Sequence, residues 1–203
     1  MKNKVIVLMF LFIIFLIITV TTYANSVSSS IYDNFYRLHI IANSDSQKDQ
    51  ELKLKVRDGI LEYMNQLNFD NKSDVILFIN KHISDIKLVA KSILLENGFD
   101  YEVNIEAGNF YFPTKSYSNI SLPAGFYDAI KIEIGDSNGQ NWWCSLFPPL
   151  CFVDISSGML DNISEELLKE DLSEEGFSLI SSTSGDVKFK FKLIELLNEK
   201  KIL

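Results

Sequence analysis

The chain is predicted to be an α+β domain: an N-terminal signal or anchor helix, then two helices packed on a mainly antiparallel β-sheet. Three observations carry this. An uncharged apolar run from Val5 to Val20 follows a basic start, Met1-Lys2-Asn3-Lys4. Two stretches with apolar residues at three- and four-residue steps come early, and several stretches alternating apolar with polar come late. Helices before strands, without the regular β-α alternation of a parallel sheet, favour segregated layers.

The 16 residues Val5 to Val20 would span ~24 Å as a helix, against a hydrocarbon core of about 30 Å. A basic start, an apolar centre and small residues behind it make a secretory signal peptide, with Thr22-Tyr23-Ala24 preceding a cut after Ala24. The alternative is an uncleaved anchor in which Thr21 to Tyr23 extend the span. In either case the chain beyond about residue 25 is expected outside the cytoplasm. Residues 1–24 are thus the signal or anchor, and the polar residues 25–34, including Ser26 to Ser30, a tether.

Without residues 1–24 the charge balance is 17 basic against 27 acidic side chains, or −10. Such a domain does not bind nucleic acid by phosphate neutralisation, nor adhere to anionic lipid. Its length suffices for one substantial core.

Tyr36 to Ala42 is a β-rich run with Leu38 and Ile40 on one face and Arg37, His39 and Ile41 on the other. Asn43-Ser44-Asp45-Ser46 stops it with helix-capping residues; Ser44 with Gln47, or Ser46 with Asp49, can satisfy the first free N–H groups. The first helix then runs to about Leu67 on a stripe of Leu52, Val56, Ile60, Met64 and Leu67. The second runs from near Ser73 to Asn97-Gly98, with Ile79, Ile83, Ile86, Ala90 and Ile93 inward.

Beyond it the period becomes two. Tyr101, Val103 and Ile105 alternate with Glu102, Asn104 and Glu106 in a half-buried strand. Thr114 to Ser121 reads as a loop or irregular edge. Gly125 to Gly135 is a strand with Ile130, Ile132 and Ile134 inward, and Asp136-Ser137-Asn138-Gly139 is a turn signal. Asn141 to Phe147 is then the return arm of that hairpin. Residues 156–185 are acidic and serine-rich, loosely helical at Ile163 to Leu172. Val187 to Leu193 alternates as a last strand running into a short helix, so that 156–203 completes the domain.

Gly139 to Asp154 holds both tryptophans, both cysteines and a Pro-Pro step. Two cysteines in an exported domain point to a disulfide, Cys144 with Cys151. The competing chemistry is Cys144 as nucleophile with His39 as base, a cell-envelope cysteine hydrolase. No zinc-binding, phosphate-loop or serine-nucleophile motif is present, so no metal or cofactor is expected. The alternating oxygens of Asn43, Asp45, Gln47 and Asp49 lack the glycine and glutamate of a Ca²⁺ loop and are better read as caps. Neighbouring residues on a strand point to opposite faces, so of Trp142 and Trp143 one should be buried and the other available to a partner.

The strings Tyr36-Arg37-Leu38-His39-Ile40-Ile41-Ala42-Asn43-Ser44-Asp45-Ser46, Leu52 to Asp58, Phe112-Pro113-Thr114-Lys115, Leu122-Pro123-Ala124-Gly125 and Gly139 to Asp154 resemble, in order, the stage II sporulation protein R family. The likeness covers about residues 35–155, the signalling domain. It implies a non-enzymatic protein exported into the space between forespore and mother-cell membranes. There, members of the family trigger a membrane-embedded aspartic protease that cleaves the sigma-E precursor. On that reading Trp142 or Trp143 is the candidate anchor, with Arg37, His39 and Asp45 as polar candidates chosen by position. Membrane contact is expected only through the N-terminal segment.

Overall fold

The computed structural model describes residues 2–65, 69–117, 120–152, 166, 168–170 and 172–181. In chain order the elements are α1 (Lys2–Asn34), β1 (Tyr36–Ile41), α2 (Gln47–Asn65), α3 (Lys72–Glu96), β2 (Val103–Phe112), β3 (Lys115–Tyr117), β4 (Ile120–Leu122), β5 (Gly125–Ile134) and β6 (Asn141–Phe147). A 3-10 turn at Leu150–Phe152 and a short helix α4 (Glu174–Ser181) complete them. The mixed α+β class is as expected from the sequence. The expectations for Leu67, for a strand at Val187 to Leu193 and for half of the helix at Ile163 to Leu172 fall outside the described residues.

α1 contains a 20-residue segment, Lys4–Tyr23, with mean hydropathy 3.0 and no buried residue, long and apolar enough to cross a membrane. The helix does not stop there. Residues 25–34, expected as a polar tether, remain helical, and Ile31 and Phe35 at its end are fully buried. Two apolar residues one turn apart give the helix a reason to continue: they seat its last turn on the domain.

α2 begins as the capping residues direct, the Asp49 amide donating to Ser46 Oγ at 3.2 Å. Leu52, Val56, Ile60 and Met64 are buried. α3 is capped by Asn71, whose side-chain oxygen accepts from the Asp74 amide at 3.0 Å. It ends where Gly98 takes φ +82°. Its buried line is Val75, Ile79, Ile86, Ala90 and Leu94. Ile83 and Ile93 of the expected stripe are only half-buried. The helix breaks at His82 (φ −114°, ψ 16°), which rotates the two halves of the stripe against each other.

The four-stranded sheet has the order β2-β5-β1-β6. β5 is antiparallel to β2 and parallel to β1, and β1 is antiparallel to β6. The expected hairpin between β5 and β6 is therefore not formed: β1 lies between them. The connection through Asp136-Ser137-Asn138-Gly139 spans the end of β1 instead of closing on itself. Its amides at Asn138 and Gly139 bond the carbonyls of Asn43 and Ala42, at 3.1 and 2.9 Å. The Asp136 amide takes Asn43 Oδ1 at 2.9 Å. The segment 114–121, expected as irregular, supplies the small hairpin β3–β4.

α2 and α3 cover one sheet face, where Leu38, Ile40, Ile130 and Ile132 meet Val56, Ile60 and Ile86. On the other, Tyr127 and Phe112 meet the end of α1, the β3–β4 hairpin and α4. Both faces of β1 are consequently buried, including the side that carries Arg37 and His39.

Gly139 packs so closely on the Ser44 carbonyl that a Cβ there would overlap it, whereas a Cβ at Gly108 would meet only the edge of the Phe110 ring, at ordinary distances of 3.4 and 3.5 Å. Gly139→Ala is expected to cost at least about 1–3 kcal/mol in urea unfolding, the usual range for forced overpacking. Gly108→Ala should be neutral or slightly stabilising, since glycine weakens a strand interior.

Candidate partner-binding site

Among the described residues β6 is an end strand of the sheet, and its two tryptophans project to opposite faces as strand geometry demands. Trp142 packs against the core under α2, with the Arg57 guanidinium 4.3 Å above its ring. Trp143 joins the core on the other face. It stacks on His39 at 3.6 Å between ring centres and 19° between planes, and meets Phe112 edge-on at 4.7 Å. Both indoles are half-buried, so the burial of one and release of the other does not occur. Each face of β6 has its own core to fill, and each claims one ring. The indole N–H of Trp142 is buried without an acceptor among the described residues.

The fold keeps Arg37 and His39 together on one buried face of β1, both against Phe112, and sets Asp45 apart on the surface. Arg37 is fully buried and out of reach of a partner. Its Nε donates to the Cys144 carbonyl at 2.8 Å and its Nη2 to Tyr117 Oη at 2.9 Å. The guanidinium lies over Phe112 and Tyr127, at 4.5 and 4.9 Å. Tyr117 Oη in turn donates to the Trp143 carbonyl at 3.1 Å. Arg37 thus ties β6 and β3 to β1 through a cation, two aromatic faces and a phenol.

His39 is 7% exposed, with Nε2 2.6 Å from Asn141 Oδ1. Burial lowers its pKa to about 4, with the Asn141 bond opposing and the Lys131 charge adding. The ring is therefore neutral at neutral pH. Asp45 alone among the three is exposed, on the loop before α2.

The buried acid of this region is one that sequence reasoning placed only as a cap. Asp49, 5% exposed, accepts from Asn43 Nδ2 at 2.9 Å, Ser44 Oγ at 2.5 Å and Tyr101 Oη at 3.2 Å. Burial pushes its carboxyl up, but the bonds from Ser44, Asn43 and Tyr101 outweigh that and hold it below the usual carboxylate range. The Ser46–Asp49 spacing marked the backbone bond; nothing in it told which way the carboxylate faced.

Cys144 and Cys151 form a disulfide, with Cα atoms 5.1 Å apart, that holds the 3-10 turn against β6. The nucleophile–base pair of Cys144 with His39 is not assembled. Cys144 registers with Leu38, and His39 with Trp143, so the sulfur and the imidazole lie on opposite faces of the sheet. The sulfur is bonded to Cys151 and the ring is stacked on an indole. Among the described residues no three His, Cys, Asp or Glu side chains gather to hold a metal ion.

A family model described as stage II sporulation protein R matches residues 32–157. Stage II sporulation protein R of Bacillus subtilis (strain 168) is 41% identical over 128 residues, which cover 62% of this chain and 57% of that relative. The match therefore spans less than two thirds of the relative's length. No solved structure matches the chain.

Two measurements check the chemistry of this region. Because His39 is depressed in the folded state, the unfolded chain binds the extra proton first. Stability is full above about pH 6.5 and declines towards pH 4, by at most about 1.4 kcal/mol per pH unit. His39→Gln should flatten the pH 7 to pH 5 part of the urea-midpoint profile, leaving the decline from Asp49 at lower pH. Removing the disulfide with Cys144→Ser and Cys151→Ser together should cost about 2–3 kcal/mol, the loop-closure value for so short a ring.

Proposed function

Since the chain belongs to the stage II sporulation protein R family, we propose that it is an exported sporulation signal. It activates a membrane-embedded aspartic protease and so leads to cleavage of the sigma-E precursor in the mother cell. The reading assigns recognition, not bond-breaking, to the domain. The observation that carries it is the state of β6. Its one sulfur is tied into a disulfide on the face away from His39, while a half-buried indole flanks each side of this end strand. Rigid aromatic surface of that kind is what protein interfaces use as anchors. The N-terminal apolar helix fits a signal anchor, which would bring the domain beside a membrane-embedded receptor in the space between the two sporulation membranes.

In this arrangement Trp142 and Trp143 present the recognition surface and Asp45 is a reachable polar contact. Arg37 and His39 act from behind, fixing the strand and the Trp143 ring. Activation follows if the domain binds the protease's active form more tightly than its inactive one.

Co-expression of the chain with such a protease and the sigma-E precursor, in a host lacking all three, should yield the cleaved factor. Trp142→Ala or Trp143→Ala should reduce cleavage by about ten-fold or more, the loss of a hot-spot side chain, in variants that still unfold cooperatively. Full cleavage with both variants would refute the anchor role. Absence of cleavage with the unaltered chain would refute the activator reading.

A further inference from the structure

An exposed aromatic pair lies outside the region described so far. Tyr111 and Phe126 are directly opposed on β2 and β5, their ring centres 5.6 Å apart and their planes at 71°. They are 44% and 46% exposed, an unusual outlay for two large rings on a sheet. We propose that this pair is a lipid-contact surface, seating the domain on the interfacial zone of the bilayer that α1 crosses. The inference rests on α1 acting as a retained anchor.

Its position carries the case. The last turn of α1 docks at the start of β5: Tyr32 Oη donates to the Ala124 carbonyl at 3.0 Å. A Cβ at Gly125 would strike the Tyr32 ring at 2.6 Å. Lys72 Nζ fastens the same turn, donating to the Tyr32 carbonyl at 3.3 Å. Phe126 follows Gly125 directly, at the same corner of the sheet but with its ring on the α2–α3 face, while the end of α1 packs on the other. The apolar span ends at Tyr23, and from there to Tyr32 the continuous helix rises only ~14 Å. The polar zone of a bilayer leaflet already occupies about 5–7 Å of that distance. The corner of the sheet bearing the pair is therefore held close to the membrane surface by a helix, not by a slack tether.

The chemistry suits lipid of no particular charge. Asp128, two residues beyond Phe126, is paired with Lys72 at 2.7 Å and accepts from Asn109 at 3.0 Å, so it presents no unpaired carboxylate to the headgroups. The chain as a whole carries −8, which gives no attraction to anionic lipid. What remains is a phenol and a phenyl ring, of which tyrosine is a side chain enriched at headgroup depth.

The full chain carrying Phe126→Trp, reconstituted in phosphatidylcholine vesicles, tests this. Acyl chains brominated near their carbonyl ends should quench the added emission, measured against the unaltered chain, by about two-fold or more. Leu95→Trp, at the opposite end of α3, should emit equally with brominated and plain lipid. Vesicle flotation is read in parallel. If the chain floats but the Phe126→Trp indole is quenched no more than that of Leu95→Trp, the lipid contact is refuted while the anchor stands. If the chain does not float, the anchor and with it this contact are refuted. If quenching is absent and Phe126→Ser abolishes precursor cleavage by a folded chain, the pair belongs to a protein partner and the proposal falls.

Discussion

The guanidinium of Arg37 sits fully buried in the middle of the sheet, on a strand paired along both edges and covered on both faces. Taking such a charge out of water is costly. It is offset here by the Cys144 carbonyl, the Tyr117 hydroxyl and the faces of Phe112 and Tyr127. Those partners come from β6, β3, β2 and β5. Nη1 is buried without a hydrogen-bond acceptor among the described residues, so the charge rests on contacts drawn from all four of these strands. β1 is thereby the element on which the domain closes, and its two neighbours meet across it without touching each other.

That closure explains the character of β6. Its inner edge is given to β1, its faces are divided between two cores, and the turn that follows is fastened by the Cys144–Cys151 bond. Trp143 is locked by a neutral imidazole, and Trp142 by an arginine above its ring. A strand with so little freedom can present its outer edge in one shape. Preorganisation of that kind favours recognition, since less ordering entropy is lost on binding.

α1 adds a second constraint. Ile31 and Phe35 join the same core as Tyr127 and Phe112, so the apolar helix is built into the domain it precedes. Position relative to a membrane and folding of the sheet are consequently coupled through shared packing. A loosely tethered domain would sample many orientations; one continuous with its anchor samples few.

Periodicity alone disclosed α2, α3, β5 and the beginning of β2, because amphipathic spacing is a local property: Leu52, Val56 and Ile60 must share a face on any helix. The capping of α2 by Ser46 and the stop at Gly98 were legible for the same reason. The class of the fold, the apolar N-terminal span, the family and the pairing of the two cysteines were also within reach of the residues themselves. What they could not disclose was any choice that depends on a distant partner. Asp136 to Gly139 has the composition of a hairpin turn, yet the carbonyls of Ala42 and Asn43 draw it across the end of β1. Arg37 and His39 look like the polar face of an edge strand, yet a second layer, drawn from α1, the small hairpin and α4, buries them. Trp142 and Trp143 alternate in the chain as on any strand. Only the presence of a core on both sides of the sheet decided that each should be half-buried, and that the sulfur beside them should face away from the one histidine able to activate it.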